Sequence, residues 1–329
     1  MPGQLVSGPL MTRRVSKAFV LGAGLGTRLR PLTTVTPKPL IPIFGKPLIT
    51  FAFDHLIAAG IKHFVVNTHH LATQFNEQFS AGSYRGCRVD LVYEPELLET
   101  AGGIKNAESL FGTEAFILCS GDILTDVSLT KLLEAHWRSG NAVTLGLRQT
   151  GLAQPIVFDP ATGRVLDLAG RLSTGLTGTL DFANISVWSP QVFGRIPPQT
   201  KISIVPVLAD WIREGGQVGG ALLEEGQWFN IGSITEYFEV HRFVNANDWH
   251  PSYLNVWPPR LAADVEIGGG FVLDGFSWVG SGARIGRDVH LRDSVVWPRT
   301  KVTAGARLQS CIVAGSCLEA GDHQNRIFL

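Results

Sequence analysis

LGAGLGTRLRPLT, residues 21–33, follows directly on the apolar run KAFV. A short apolar run that breaks into alternate glycines reads as a strand feeding a turn, and such a turn lets the backbone approach an anion closely. Spacing excludes the two commonest nucleotide loops. A P-loop needs a lysine after its last glycine, whereas Gly26 is followed by Thr27 and Arg28. A dinucleotide fingerprint needs glycines at its first, third and sixth positions, but Gly22, Gly24 and Gly26 occupy the first, third and fifth. The segment that follows carries Arg30, Lys38 and Lys46, each lysine standing before a proline. A lysine whose neighbours are conformationally fixed can place a point charge, although Lys38 taken alone reads as a solvated loop lysine.

Working outward, HFVVNTHH, CRVDLVYEP and EAFILCSGDI read as further strands. LITFAFDHLIAAGI and LATQFNEQFSAG read as amphipathic helices, the first ending at Gly60. Strands separated by helices predict an α/β domain with a largely parallel sheet. Ligands of such sheets bind beyond the carboxyl ends of the strands, where GAGLGTR and SGDILTD both fall. AVTLGLRQ, PIVFDPATGRVLDL and GTLDFANISVWSP add strands and hairpins that complete the sheet and wall a cleft, and SIVPVLADWIREG adds a helix. After the Trp- and Pro-rich connection NDWHPSYLNVWPPR the pattern changes. Ile267, Leu273, Val279, Ile285, Leu291 and Trp297 recur at every sixth position, and after one dropped residue Val302 and Leu308 resume the series. That period predicts a parallel β-helix, with a sheet meander as the simpler alternative. Exposed coil ends need capping or a partner, so a homo-oligomer formed through this tail is expected.

Twenty-eight basic and 28 acidic side chains cancel, which removes any global attraction to nucleic acid or to an anionic membrane. Cys87, Cys119, Cys311 and Cys317 lack paired spacing and read as reduced structural thiols. The adjacent His69 and His70 lack neighbouring ligands for a metal and read as surface or cleft-lining residues. No stretch approaches the roughly 18 apolar residues of a membrane span, and the first residues lack a signal-peptide core, so a cytoplasmic location is expected.

The segments LGAGLGTRLRPLTTVTPKPLIPIFGKPLI, EPELLETAGGIKNA, CSGDILTD and QWFNIGSITEY, with the hexapeptide tail, resemble the sugar-1-phosphate nucleotidyltransferases over most of the chain. The layout most resembles the mannose-1-phosphate guanylyltransferase branch, and LLETAGGI is also similar to the N-acetylmuramate-1-phosphate uridylyltransferases. The resemblance implies a Rossmann-like nucleotidyltransferase domain with a mostly parallel mixed sheet, followed by a short left-handed parallel β-helix. Expected boundaries are a flexible tail over residues 1–14, the catalytic domain over 15–245, a linker over 246–262 and the β-helix over 263–329. The implied reaction is in-line attack of a sugar 1-phosphate on the α-phosphorus of a nucleoside triphosphate, with Mg²⁺ and release of pyrophosphate. Its nucleophile is already an anionic oxygen, so the protein has two polyanions to align and a leaving group to stabilise.

By the same resemblance Arg28 and Lys38 are catalytic, Arg28 on the β- and γ-phosphates and Lys38 on the α-phosphate or the incoming sugar phosphate. Leu21, Gly22, Ala23, Gly24, Gly26, Thr27, Gly102 and Gly103 hold the nucleotide, Asn184 contacts the sugar, and Asp122 and Asn230 ligate the metal. Two departures stand out. Relatives read Trp-x-Asp-Ile/Val-Gly-Thr where this chain has WFNIGS, and the Asn230 amide brings an oxygen but no charge to a hard cation. Relatives also carry Glu-Lys-Pro before the strand of Asn184, and no matching lysine occurs here. The first departure opens an alternative expectation, a nucleotide-sugar-binding regulatory subunit with weakened catalysis.

Overall fold

The apolar runs pair into one ten-stranded sheet in a computed structural model that describes residues 15–151 and 155–329. The tail expected over residues 1–14 lies outside the described residues. The strands are β1 (Lys17–Leu21), β2 (His63–Thr68), β3 (Ser83–Tyr84), β4 (Cys87–Tyr93), β5 (Phe116–Ser120), β6 (Val143–Arg148), β7 (Ile156–Asp159), β8 (Arg164–Leu168), β9 (Asp181–Trp188) and β10 (Val218–Leu222). They lie in the order β7-β8-β10-β6-β9-β5-β1-β2-β4-β3. β1 is flanked by β2 and β5, both parallel to it, and β9 runs antiparallel between β5 and β6. Ala18, Phe19 and Val20 are wholly buried, because a parallel strand with helices on both faces has no solvent side.

Helices α1 (Ile49–Ala58), α2 (Ala72–Gln78) and α4 (Leu129–Ser139) cover one face, where Phe53, Phe75 and Leu132 pack with Val20 and Val66. Helices α3 (Glu99–Asn106) and α5 (Ile204–Arg213) cover the other, where Ile104 and Leu208 pack with Phe19 and Val65. The fold is thus a Rossmann-like layered α/β domain, as the alternating pattern predicts. Helix α6 (Ile234–Asn247) closes it, capped by Ser233 Oγ, which accepts from Glu236 N at 3.2 Å.

Beyond Ala263 the chain forms a left-handed parallel β-helix of three four-stranded parallel sheets. Its interior columns stack Ile267 on Ile285, Val302 and Cys317, then Leu273 on Leu291 and Leu308, then Val279 on Val296, Val313 and Phe328. The hexapeptide reading is corrected at one position. Val296, not Trp297, fills the third column, because the dropped residue falls before it. A one-residue slip in a strand turns a side chain to the other face. Trp297 therefore leaves the coil interior and enters a cluster with Leu29, Ile41, Tyr237 and Trp278, so the coil and the α/β domain share a core.

Two buried histidines make this core sensitive to acid. Burial lowers the pKa of His55 in α1 and of His241 in α6 from 6.5 to about 4 in each case. Above pH 6.5 both states are neutral at these rings. As pH falls towards about 4 the unfolded chain takes up protons that the native state refuses, so stability is lost through that window. The melting temperature is expected to drop between about pH 7 and about pH 5. His241→Phe, packed between Phe44 and Tyr237, is expected to flatten that drop in thermal scans across pH.

Candidate active site

The glycine loop leaves the sheet at its centre, where β1 ends. Gly22 N donates to Asn67 Oδ1 at 2.8 Å, and a Cβ on Gly22 would stand 2.6 Å from the Asn67 carbonyl oxygen, so this glycine fits flush against β2. Ala23 is buried, while Gly24 and Leu25 form the open crest of the loop. Gly26 turns back with φ +60°, and a Cβ there would lie 2.8 Å from Thr33 Cγ2 and 2.9 Å from Lys38 Cβ. Only glycine allows the lysine turn to close on the loop at this point. Polar ties then fix the return path. Thr33 Oγ1 donates to Gly26 O at 3.0 Å, His70 Nε2 to Thr33 O at 2.7 Å, and Gln74 Nε2 to Val35 O at 2.7 Å.

Lys38 opens the short 3-10 turn Lys38–Leu40 and is only 8% exposed. Its ammonium pairs with the Asp122 carboxylate. Asp122 arrives on the end of β5, where Gly121 N donates to Leu21 O at 3.0 Å and a Cβ on Gly121 would stand 2.5 Å from that oxygen. The ends of β1 and β5 are thereby locked together, placing glycine loop and carboxylate side by side. The strand Trp228–Asn230 pairs antiparallel with Ile123–Thr125, and Ile231 N donates to Asp122 O at 3.1 Å. Asn230 therefore reaches the same corner. A Cβ built on Gly232 would lie 2.7 Å from Arg28 Nη2, 3.1 Å from Glu236 Oε2 and 3.2 Å from Asn230 Nδ2, so the exposed Arg28 crosses to the Asn230 segment. Arg28, Lys38, Asp122 and Asn230, scattered over the sequence, gather around one loop.

The cleft beside this corner has a volume of about 330 Å³ and is lined by Leu21, Ala23, Gly24, Lys38 and Asp122, with Asn67, Leu97, Glu99, Thr100, Ser120 and Ser203. Gly102 and Gly103 are buried behind that wall in α3. A Cβ on Gly102 would meet the Thr200 carbonyl oxygen at 2.3 Å, and its amide donates to Ile202 O at 3.2 Å. A Cβ on Gly103 would meet Glu94 Oε1 at 2.6 Å and Asn67 Nδ2 at 2.9 Å. Close packing of α3 thus accounts for both glycines, and the lining comes from the turn before them. Glu94 is wholly buried and accepts from Asn67 Nδ2 at 2.8 Å and from Leu98 N at 2.9 Å, while burial pushes its carboxyl up. This pair fixes the Asn67 amide, which in turn holds Gly22. Asn67, a polar residue ending an apolar strand at the ligand edge, is the signal that the sequence reading passed over.

Asn184 sits in β9 with φ +60°, at a bulge between Phe182 and Ser186. Gly146 opposite it makes room, since a Cβ there would stand 2.8 Å from Ile185 O. Ile185 pairs with Cys119, so the bulge lies at the strand edge where Ser120 lines the cleft. Two further charged side chains, Lys46 and Asp126, are engaged elsewhere. Lys46 pairs with the buried Asp54 and stands 4.7 Å from the centre of the Phe51 ring, and Asp126 Oδ1 accepts from Gln227 N at 2.6 Å. A second cavity, lined by Leu145, Ile156, Trp188 and Leu208 among others, is apolar and offers no comparable chemistry.

The nucleotidyl transferase family profile matches residues 17–247. A mannose-1-phosphate guanylyltransferase of Mycobacterium tuberculosis is 28% identical over 297 residues, 89% of this chain and 82% of that protein. An N-acetylmuramate alpha-1-phosphate uridylyltransferase of Neisseria meningitidis is 32% identical over 235 residues, 70% of this chain and 99% of that protein. Among solved structures, the inositol-1-phosphate CTP transferase from T. maritima aligns with a TM-score of 0.56 at 19% identity, covering 68% of this chain and 91% of that one. At that identity the likeness concerns the fold.

The loop geometry separates two glycines that sequence alone treats alike. Gly26→Ala combines a left-handed backbone with contacts below 3 Å and is expected to cost about 1–3 kcal/mol, read as a lowered melting temperature. Gly24→Ala, whose Cβ would meet nothing within 4 Å, is expected to leave the melting temperature unchanged in the same scan.

Proposed function

The chain belongs to the nucleotidyl transferase family and is an enzyme, and from that premise we propose that it joins a nucleoside triphosphate to a sugar 1-phosphate, giving a nucleoside-diphosphate sugar and pyrophosphate. The convergence of Arg28, Lys38 and Asp122 on the glycine loop carries this reading. GTP with mannose 1-phosphate is the leading substrate pair, since the guanylyltransferase relative spans most of both chains. A uridylyltransferase pair ranks second, on the relative matched over the α/β domain.

In the proposed reaction an oxygen of the sugar phosphate forms a bond to the α-phosphorus. The bond from that phosphorus to the bridging oxygen of the β-phosphate breaks, and pyrophosphate leaves with the electron pair. No side-chain nucleophile is consumed. Lys38, freed from Asp122, would set its ammonium against the α-phosphate, where charge accumulates in the transition state. Arg28 would present its planar fork to the β- and γ-phosphates. Leu21, Ala23, Gly24, Gly26 and Thr27 would form the bed beneath the phosphates, and Asn184, on its bulge, would meet the sugar. Gly102 and Gly103 would serve the nucleotide indirectly, by letting α3 seat Glu99 and Thr100 at the cleft.

A divalent cation fits this donor set only together with the substrate. Among the described residues no three His, Cys, Asp or Glu side chains gather as a cage. Mg²⁺ is commonly held by one or two carboxylates, phosphate oxygens and water, so Asp122 with the amide oxygen of Asn230 and the triphosphate would suffice. When bound it would supply positive charge to the α-phosphate and the leaving oxygens. A second reading, a nucleotide-sugar-binding regulatory subunit, follows from Asn230 standing where relatives carry aspartate. We also propose assembly of a homo-oligomer through the β-helix and a cytoplasmic location. No helix among the described residues is long and apolar enough to cross a membrane.

Pyrophosphate release and product mass, measured over a panel of triphosphates and sugar 1-phosphates, decide between the readings. Turnover with GTP and mannose 1-phosphate is expected, and tight binding of a nucleotide sugar with no turnover for any pair would favour the regulatory one. Arg28→Ala is expected to lower kcat/KM by about a thousandfold, ~4 kcal/mol of lost transition-state stabilisation. Asn230→Asp is expected to lower the Mg²⁺ concentration giving half-maximal rate; an unchanged requirement would place Asn230 outside the metal shell.

A further inference from the structure

The lysine turn is tied to the β-helix through α6. Tyr237 in α6 donates its hydroxyl to the Pro42 carbonyl oxygen at 2.9 Å, and Trp297 of the β-helix donates Nε1–H to that same hydroxyl at 3.0 Å. Tyr237 is wholly buried and Trp297 is 5% exposed, so water has little access to either bond. Burial also pushes the Tyr237 hydroxyl well up, which keeps it protonated and able to donate. Pro42 belongs to a two-strand clip with Lys46–Pro47, and Ile41 N donates to Lys38 O at 3.2 Å, so Pro42 and Lys38 move as one short unit.

A second contact acts on the same unit. Gly45, at φ +75°, lies so close to the Trp278 indole that a Cβ would stand 2.7 Å from its ring. Leu29, next to Arg28, and Ile231, next to Asn230, pack in the cluster that contains Tyr237, Trp278 and Trp297. Trp297 reaches this place only because the coil skips a residue and Val296 takes the interior column.

We infer that the β-helix is a positioning element of the active site, and that Trp297, acting through Tyr237, sets the Lys38 turn against Asp122 and the bound α-phosphate. Trp297 and Tyr237 touch no substrate in this scheme. They act by fixing the carbonyl of Pro42, and through it the backbone that carries the ammonium. The kinetic part of the inference rests on the phosphate role proposed for Lys38; the structural coupling does not.

Tyr237→Phe removes both hydrogen bonds and Trp297→Phe removes the distal one, while each keeps an aromatic ring in place. Hydrogen exchange of the full chain is expected to quicken at the amides of Leu40, Ile41 and Leu48 in both variants, more in Tyr237→Phe, with β1 and β5 unchanged. In the wild-type background kcat is expected to fall between about tenfold and a hundredfold, with KM for the triphosphate moving less. In a Lys38→Ala background the same substitutions are expected to leave the residual rate nearly unchanged while still lowering the melting temperature. Equal kcat losses in the two backgrounds, or exchange that quickens uniformly over the chain, would mean ordinary destabilisation and overturn the inference. Wild-type protein with no turnover on any substrate pair would sink the transferase reading alone. The exchange pattern would then decide the coupling: faster exchange confined to the lysine turn supports it, and no local change overturns it.

Discussion

The pairing of the Lys38 ammonium with the Asp122 carboxylate sets the terms for the rest of the molecule. Lys38 is nearly buried and Asp122 partly so, and either charge left alone there would give up part of its hydration without a partner. To meet, a strand end and a loop turn must approach more closely than side chains allow. Gly26 gives way on the lysine side, Gly121 on the carboxylate side, and the bond from Gly121 N to Leu21 O joins the two strands that carry them. In the proposed reaction the substrates bring the matching opposite charges, a phosphate for the ammonium and a cation for the carboxylate. Exchange of partners would leave no charge stranded only if phosphate and cation entered together, so the pair Lys38 and Asp122 would favour a nucleotide that carries its own counter-cation over a bare anion.

What could be read in the sequence follows from which interactions are local. The glycine loop, the strand–helix alternation and the hexapeptide period are short-range patterns, and they give the architecture up to one residue of register in the coil. That residue was unreadable for a physical reason: Val296 and Trp297 are both apolar and adjacent, and only the stacking of Val296 on Val279 and Val313 decides which points inward. Helix α3 was equally hidden. It begins at Glu99 with φ +61° and carries two glycines, both marks of a turn, and it holds as a helix because the loop at Thr200–Ile202 and the buried Glu94 pack against it. Lys46 and Lys38 look alike in sequence, each followed by proline. Their fates differ because Asp54 in α1 claims one and Asp122 at the strand end claims the other.

The family match stops at residue 247, yet the core does not stop there. Trp278, Val295, Trp297 and Ile312 from the coil pack with Leu29, Ile41 and Ile231 from the loops that frame the site. Burying each large apolar side chain contributes roughly 1.5–3 kcal/mol, so this interface has the energetic weight of a domain interior. Sequence composition marks a boundary near the Trp- and Pro-rich connection, but those same aromatics join the two parts. Trp257 from the connection packs against Phe44 in a tilted arrangement at 4.8 Å between ring centres, and Leu254 is buried in the shared cluster. A linker in composition is a piece of core in the fold.

Asn230 gains a second meaning from its surroundings. Arg28 Nη2 and the Asn230 amide both stand close to the space that a Cβ on Gly232 would fill, and the Glu236 carboxylate, already accepting from Gly232 N at 2.8 Å, lies beside them. An aspartate at this position would add a second negative charge within reach of the guanidinium and draw it away from the phosphates. In the proposed site asparagine would offer an oxygen donor without that competition, so a charge missing from the metal shell would also be a charge that does not hold Arg28. The balance between the two effects depends on how much of the metal's coordination the triphosphate itself supplies. In the proposed site Asp122 is already matched by Lys38, so the substrate would carry most of that coordination.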